Sequence, residues 1–139
     1  MRLHLHPYPP HRDTVVDLPT TGLVVVHGAN GSGKSSLVEA YAAALWGKSL
    51  RGAAAWRSEA DRIDLSLPGL TVSRTPSSLL VNGETTLTTA KAQQRLTSIV
   101  GDFATWQRTR VFYADLTSRF GAETDSESKK LLERLRALT

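Results

Sequence analysis

One run of consecutive residues carries the clearest chemistry in this chain. Gly28-Ala29-Asn30-Gly31-Ser32-Gly33-Lys34-Ser35 fits the pattern G-x-x-x-x-G-K-[ST], a phosphate-binding loop of the Walker A type. The glycines permit backbone conformations and a close approach that side chains would block. Successive N–H groups then converge on an anion, reinforced by the positive end of the helix that follows. Asn30, Gly31, Ser32, Gly33, Lys34, Ser35 and Ser36 form the candidate nucleotide site. Lys34 is the candidate catalytic cation, reaching the β- and γ-phosphates, and the Ser35 hydroxyl is a ligand for Mg²⁺. ATP with Mg²⁺ is the implied cofactor pair. The bland alternative is a glycine-rich turn that binds nothing, and the flanking pattern argues against it, since the loop sits between a strand-like and a helix-like segment.

Other residue types offer less. The chain has no cysteine, which excludes disulfides, thiolate zinc sites and cysteine nucleophiles. His4 and His6 alternate onto one face of a strand, but no carboxylate companion is visible in the spacing, so no zinc site is assigned. His27 reads as a packing residue at a strand end. No Ser-His-Asp or paired-carboxylate arrangement follows from spacing alone.

The elements that must position the loop can be read from periodicity. Gly22 opens Leu23-Val24-Val25-Val26-His27, a β-branched apolar run suited to a buried strand. Behind the loop, a helix is predicted from Lys34 to Trp46, with Leu37, Val38, Tyr41, Ala42 and Leu45 on its apolar face and Gly47 as its stop. Arg2–Leu5 and Thr14–Leu18 read as strands separated by the prolines Pro7, Pro9 and Pro10. Lys48 to Ser58 reads as a loop. Ile63–Leu67 and Leu70–Arg74 are candidate strands, and Leu79-Leu80-Val81 before Asn82-Gly83 is a hairpin signal. Thr89–Val100 is predicted helical with Gly101 as its stop, as is roughly 125–138, whereas Val111–Ala114 is of undecided type. The sum is an α/β chain, a P-loop lobe with a mixed sheet, an antiparallel hairpin region and a C-terminal helix.

A length of 139 residues suits one domain. With 40% hydrophobic and 22% charged residues, the composition is that of a folded domain rather than a disordered tail. No apolar run approaches a membrane span and no signal-peptide pattern opens the chain, so a cytoplasmic location with no membrane partner is expected. Lys and Arg outnumber Asp and Glu by 17 to 13, giving net charge +4, a mild lean toward anionic partners.

From Gly22 through the loop and on to Ala44-Leu45-Trp46-Gly47, the sequence resembles the start of the DNA double-strand-break-repair ATPases related to SbcC, within the structural-maintenance-of-chromosomes superfamily. The Asn30–Ser36 core and the Ala-Leu-Trp-Gly helix end carry the resemblance. It continues weakly through Lys48–Gly52, Val81-Asn82-Gly83, Val111–Leu116 and Leu131–Arg134. It implies that residues 1–139 form the N-terminal lobe of an ABC-type head. The head's C-terminal lobe and coiled coil would be absent, since no Leu-Ser-Gly-Gly stretch and no apolar run ending in Asp-Glu is present. It further implies dimerisation with a second head on ATP binding, a nuclease subunit as partner, and DNA as ligand. Relatives place a glutamine in the segment matching Val111–Leu116. Here Ala114 occupies that place with Asp115 beside it, so Asp115 is either a metal ligand or a surface aspartate. Arg51 matches an arginine near the nucleotide or DNA in related heads. Arg12 is the candidate for a phosphate-proximal arginine after the first strand, a region where this chain has Pro9 and Pro10.

Arg74, Arg108, Arg110 and Arg119 are candidates for a DNA-facing surface, against the plainer reading of solvated charge. Trp46 is expected in the core. A competing function is a small self-sufficient phosphotransferase of the nucleotide-kinase kind, with Val111–Asp115 as a minimal Walker B strand. A third is an interaction module that keeps the loop only as structure.

Overall fold

The computed structural model describes residues 1–29, 31–50, 54–111, 129–130, 132–134 and 136. Its strands are β1 (Arg2–Leu5), β2 (Thr14–Asp17), β3 (Ile63–Leu67), β4 (Leu70–Arg74) and β5 (Leu79–Val81). Its helices are α1 (Lys34–Trp46), α2 (Thr89–Val100) and α3 (Phe103–Arg110). The strands form one sheet in the order β2-β1-β3-β4-β5, and every pairing is antiparallel.

Alternation along the strands decides which face is buried. Leu3 and Leu5 of β1 point inward opposite Leu65 and Ile63 of β3. Val72 and Val81 extend that row across β4 and β5. Helices α1 and α2 cover this face, α1 across β3 and β4 and α2 against β5. Ala40, Ala43, Ala44, Leu45, Ala92 and Leu96 complete the core. Small residues on α1 let its backbone approach the sheet closely.

Helix α1 runs over the predicted span. It starts at Gly33 (φ 93°) and stops at Gly47 (φ 64°), whose N–H donates to the Ala43 carbonyl at 2.8 Å. Its buried face differs from the predicted one. Ala42 and Leu45 are buried and Leu37 and Tyr41 pack at the margin, but Val38 is exposed. Ser36, Glu39 and Ala40 turn inward instead.

Apart from Leu23–His27, the predicted strands and α2 are present with near-identical bounds, β2 ending one residue early. The Leu18 N–H there bonds to the Met1 carbonyl at 2.8 Å. Asn82 and Gly83 both have positive φ, 53° and 73°, as a tight hairpin turn requires, with Val81 bridging Glu84. Helix α3 has no counterpart in the sequence reading. Its start is fixed by Asp102, whose carboxylate accepts from the Thr105 N–H at 3.0 Å and Oγ1–H at 2.8 Å. Residues 129–130, 132–134 and 136 are helical, within the predicted C-terminal helix.

The main correction concerns Leu23–His27. Among the described residues the segment belongs to no strand, and the sheet is antiparallel rather than mixed. Leu23 is 92% and Val25 74% exposed, and His27 is exposed rather than packed. An apolar β-branched run reads as buried from sequence, but burial needs a partner surface, and none of the described residues supplies one.

Candidate nucleotide site

The phosphate loop is built between the start of α1 and the turn that follows β1. Gly31 (φ 80°) and Gly33 (φ 93°) both take left-handed conformations that glycine adopts without strain. The Ser32 N–H donates to the Ala29 carbonyl at 3.1 Å, tightening the curl. Gly28 lies so near Ser32 that a Cβ there would come within 2.8 Å of its Oγ.

Gly33 lies close against the β1 turn. A Cβ on it would meet His11 Nε2 at 2.5 Å and Pro10 Cγ at 3.0 Å. His11 Nε2 is 2.9 Å from the Gly33 carbonyl and Nδ1 is 3.1 Å from Thr14 Oγ1. A carbonyl only accepts, so Nε2 carries a proton, and in the neutral ring Nδ1 accepts from Thr14.

Among the described residues no side chain caps α1, so none of them supplies a side-chain acceptor to its first-turn N–H groups. Such a terminus favours an anion. The Lys34 ammonium is turned back over the loop, donating to the Gly28 carbonyl and, at 3.4 Å, to that of Ala29. Pro10, Gly31, Gly33, Lys34, Ser35 and Ser36 line a cavity of about 270 Å³. The exposed Ser35 also lines an adjoining cavity of about 340 Å³. The uncapped helix end, the lysine over the loop and the exposed Ser35 hydroxyl fit a phosphate chain and its Mg²⁺.

The adjoining cavity brings in residues that the sequence reading did not single out. Arg57 Nη1 donates to Ser36 Oγ at 3.0 Å, and its guanidinium lies 4.7 Å over the Tyr8 ring. Buried Asp61 fixes that turn by accepting from the N–H groups of Arg57 and Ser58 at 2.8 and 3.2 Å. The Tyr8 hydroxyl donates to the Ala55 carbonyl at 2.9 Å. Burial pushes its pKa up to about 12 against the opposing charge of Arg57, so the phenol keeps its proton. Glu39, buried on α1, accepts from Ser49 Oγ and the Leu50 N–H at 3.2 and 3.1 Å, tying down the start of the following loop. No local motif marks Arg57, and only the fold brings it to Ser36. His11 and Pro10 lie in the proline cluster, which signals a turn but not its destination.

The remaining candidates fall elsewhere. Asn30, Arg51, Asp115 and Arg119 lie outside the described residues. Arg12 is exposed beside His11. Arg74 is not a surface residue: it is buried beneath the end of α1, where burial lowers its pKa to about 10. Its guanidinium donates to the Ala43 carbonyl at 3.4 Å and to Gln93 Oε1, a cation placed at a helix C-terminus. Trp46 is in the core as expected, donating to the Gly101 carbonyl at 2.9 Å and packing on Trp106.

Among the described residues, no helix is long and apolar enough to cross a membrane. No curated protein matches the sequence. The sequence does match the AAA domain family over residues 2–138, an ATPase family of the SMC and SbcC-like kind whose members bind nucleotide. A match of that extent, over a chain whose phosphate loop opens an uncapped helix, shows that the chain belongs to the AAA domain family.

Proposed function

We propose that this chain is the ATP-binding N-terminal lobe of an SbcC-like DNA-repair ATPase head. It binds Mg-ATP through the phosphate loop and hydrolyses it only when a C-terminal lobe and a second head complete the site. The observation that carries this reading is the exposed apolar segment Leu23–Val26, which leads into the loop yet has no strand partner among the described residues. A surface of that kind marks an unfinished interface.

The loop's own residues do the binding. Lys34 leaves the carbonyls of Gly28 and Ala29 to neutralise phosphate oxygens, the N–H groups at the start of α1 orient them, and Ser35 offers its hydroxyl to the metal. Mg²⁺, when bound, screens the charge on the phosphates. Arg57 stands one residue beyond, on Ser36. DNA and a nuclease subunit belong to this reading as partners, and a cytoplasmic location accompanies it.

The test is ATP turnover and ATP-dependent thermal stability of the purified chain, beside Lys34→Ala. Nucleotide binding stabilises a folded protein by RT ln(1 + [L]/Kd). The expected outcome is a stabilisation that Lys34→Ala abolishes, with negligible turnover until a C-terminal lobe is added. Sustained Lys34-dependent turnover by the chain alone would overturn the half-site reading in favour of the phosphotransferase, with Asp115 as its metal ligand. No ATP effect on stability would leave the loop a structural turn.

A further inference from the structure

A second constellation lies on the outward face of the sheet, away from the core. Alternation sends Leu3 and Leu5 inward and leaves His4 outward, and the β1–β3 register sets His4 directly opposite Asp64. His6, just past β1, continues the outward row. Its Nε2 is 2.6 Å from Asp64 Oδ2, and its ring stacks on that of His4 with centroids 3.9 Å apart. One ligand-capable atom from each of His4, His6 and Asp64 lies within 4.8 Å of the other two. Among the described residues, Asp64 Oδ1 is buried without a hydrogen-bond partner. His4 Nε2 lies 2.6 Å from Asp13 Oδ1.

We propose that His4, His6 and Asp64 form a binding site for a divalent first-row transition metal, with zinc as the type ion. Two imidazole nitrogens and one carboxylate oxygen are a recurrent donor set for such ions and a poor one for Mg²⁺, which prefers oxygen ligands throughout. Zinc ligands stand about 2.0–2.2 Å from the metal, so coordination draws the three donors together and opens the two rings from their stack. The buried Asp64 Oδ1 gains a use in this arrangement. Asp13 supplies the outer carboxylate on which metal-bound imidazoles commonly lean.

Burial tends to raise the Asp64 carboxyl, but Ser73, His6 and the Arg62 guanidinium outweigh it and hold the pKa below its ordinary value. Arg62, with Nη2 at 3.5 Å from Asp64 Oδ2, competes for that oxygen and tempers the affinity. Three protein ligands leave a coordination position to water or to a small donor, as in sites that keep an open position. The site is independent of the nucleotide reading, since none of its residues lines the phosphate loop's cavity.

The test uses the untagged full chain, stripped with chelator and titrated with Co²⁺ and then Zn²⁺. One equivalent of Co²⁺ is expected to give a visible d–d band that Zn²⁺ bleaches. His6→Ala and Asp64→Asn should each weaken binding about tenfold or more, with a loss of up to that size for Asp13→Asn and no change for His27→Ala. Absence of the band, or binding unmoved in both His6→Ala and Asp64→Asn, would overturn the proposal. Should the variants fail to fold by circular dichroism, imidazole NMR of the unaltered chain decides. Zn²⁺ must shift the His4 and His6 rings and spare His27, and any other pattern overturns the site.

Discussion

Two glycines of the phosphate loop share a backbone conformation but not a neighbourhood. Gly31 (φ 80°) has nothing within 4 Å of a would-be Cβ, whereas the one on Gly33 (φ 93°) runs into His11 and Pro10. Both alanine substitutions therefore incur left-handed strain of about 1–2 kcal/mol, and only Gly33→Ala adds a steric clash. Urea unfolding should show Gly33→Ala to be the costlier of the two, with the His11 ring resonances displaced only in that variant. The loop's glycine turn into α1 was legible because glycines at that spacing permit the left-handed conformations seen at Gly31 and Gly33. Its neighbours were not, because Arg57 and His11 reach it through tertiary folding. The His4–Asp64 pairing was hidden for a related reason. Strand alternation placed His4 and His6 on one face, but the carboxylate opposite them depends on a register that joins residues far apart in the chain.

At the level of elements, legibility followed the strength of the terminal signals. Helix α1 was bounded by Gly33 and Gly47, and α2 by Thr88, whose Oγ1 accepts from the Lys91 N–H at 3.4 Å, and by Gly101. Helix α3 is short and weakly amphipathic, so periodicity did not reveal it. Asp102 marks its start. Burial tends to raise the Asp102 carboxyl, but hydrogen bonds from Thr105 and the charge of Arg134 hold its pKa below the ordinary value. A lowered folded pKa means that this stabilisation is complete above the unfolded value of about 3.9 and is lost as pH falls through the folded one. Asp102→Ala should cost about 1 kcal/mol at neutral pH. Urea unfolding followed into acid should show the variant and parent converging. Arg74 illustrates the opposite error. The sequence reading groups it with Arg108, Arg110 and Arg119 as a surface cation, yet alternation from Leu70 and Val72 carries it inward to the end of α1.

For the molecule as a whole, the unresolved tension between sequence and structure lies in Leu23–Val26. Hydrophobicity there marked a segment to be buried, whereas the structure leaves it exposed, because a run of apolar residues does not by itself specify a covering surface. Val25 is 74% exposed, so Val25→Lys should change stability by no more than about 0.5 kcal/mol. It should also lower self-association of the isolated chain by light scattering and weaken its capture of a C-terminal lobe. Limited proteolysis should cut near this segment first, with cleavage suppressed once that lobe is present. Were the proposed C-terminal lobe to cover it in a cell, the same exposed run would act as a stoichiometry sensor. Copies made in excess of their partner would present it to chaperones and proteases, while assembled copies would hide it. The abundance of this chain would then follow the supply of its partner rather than its own rate of synthesis.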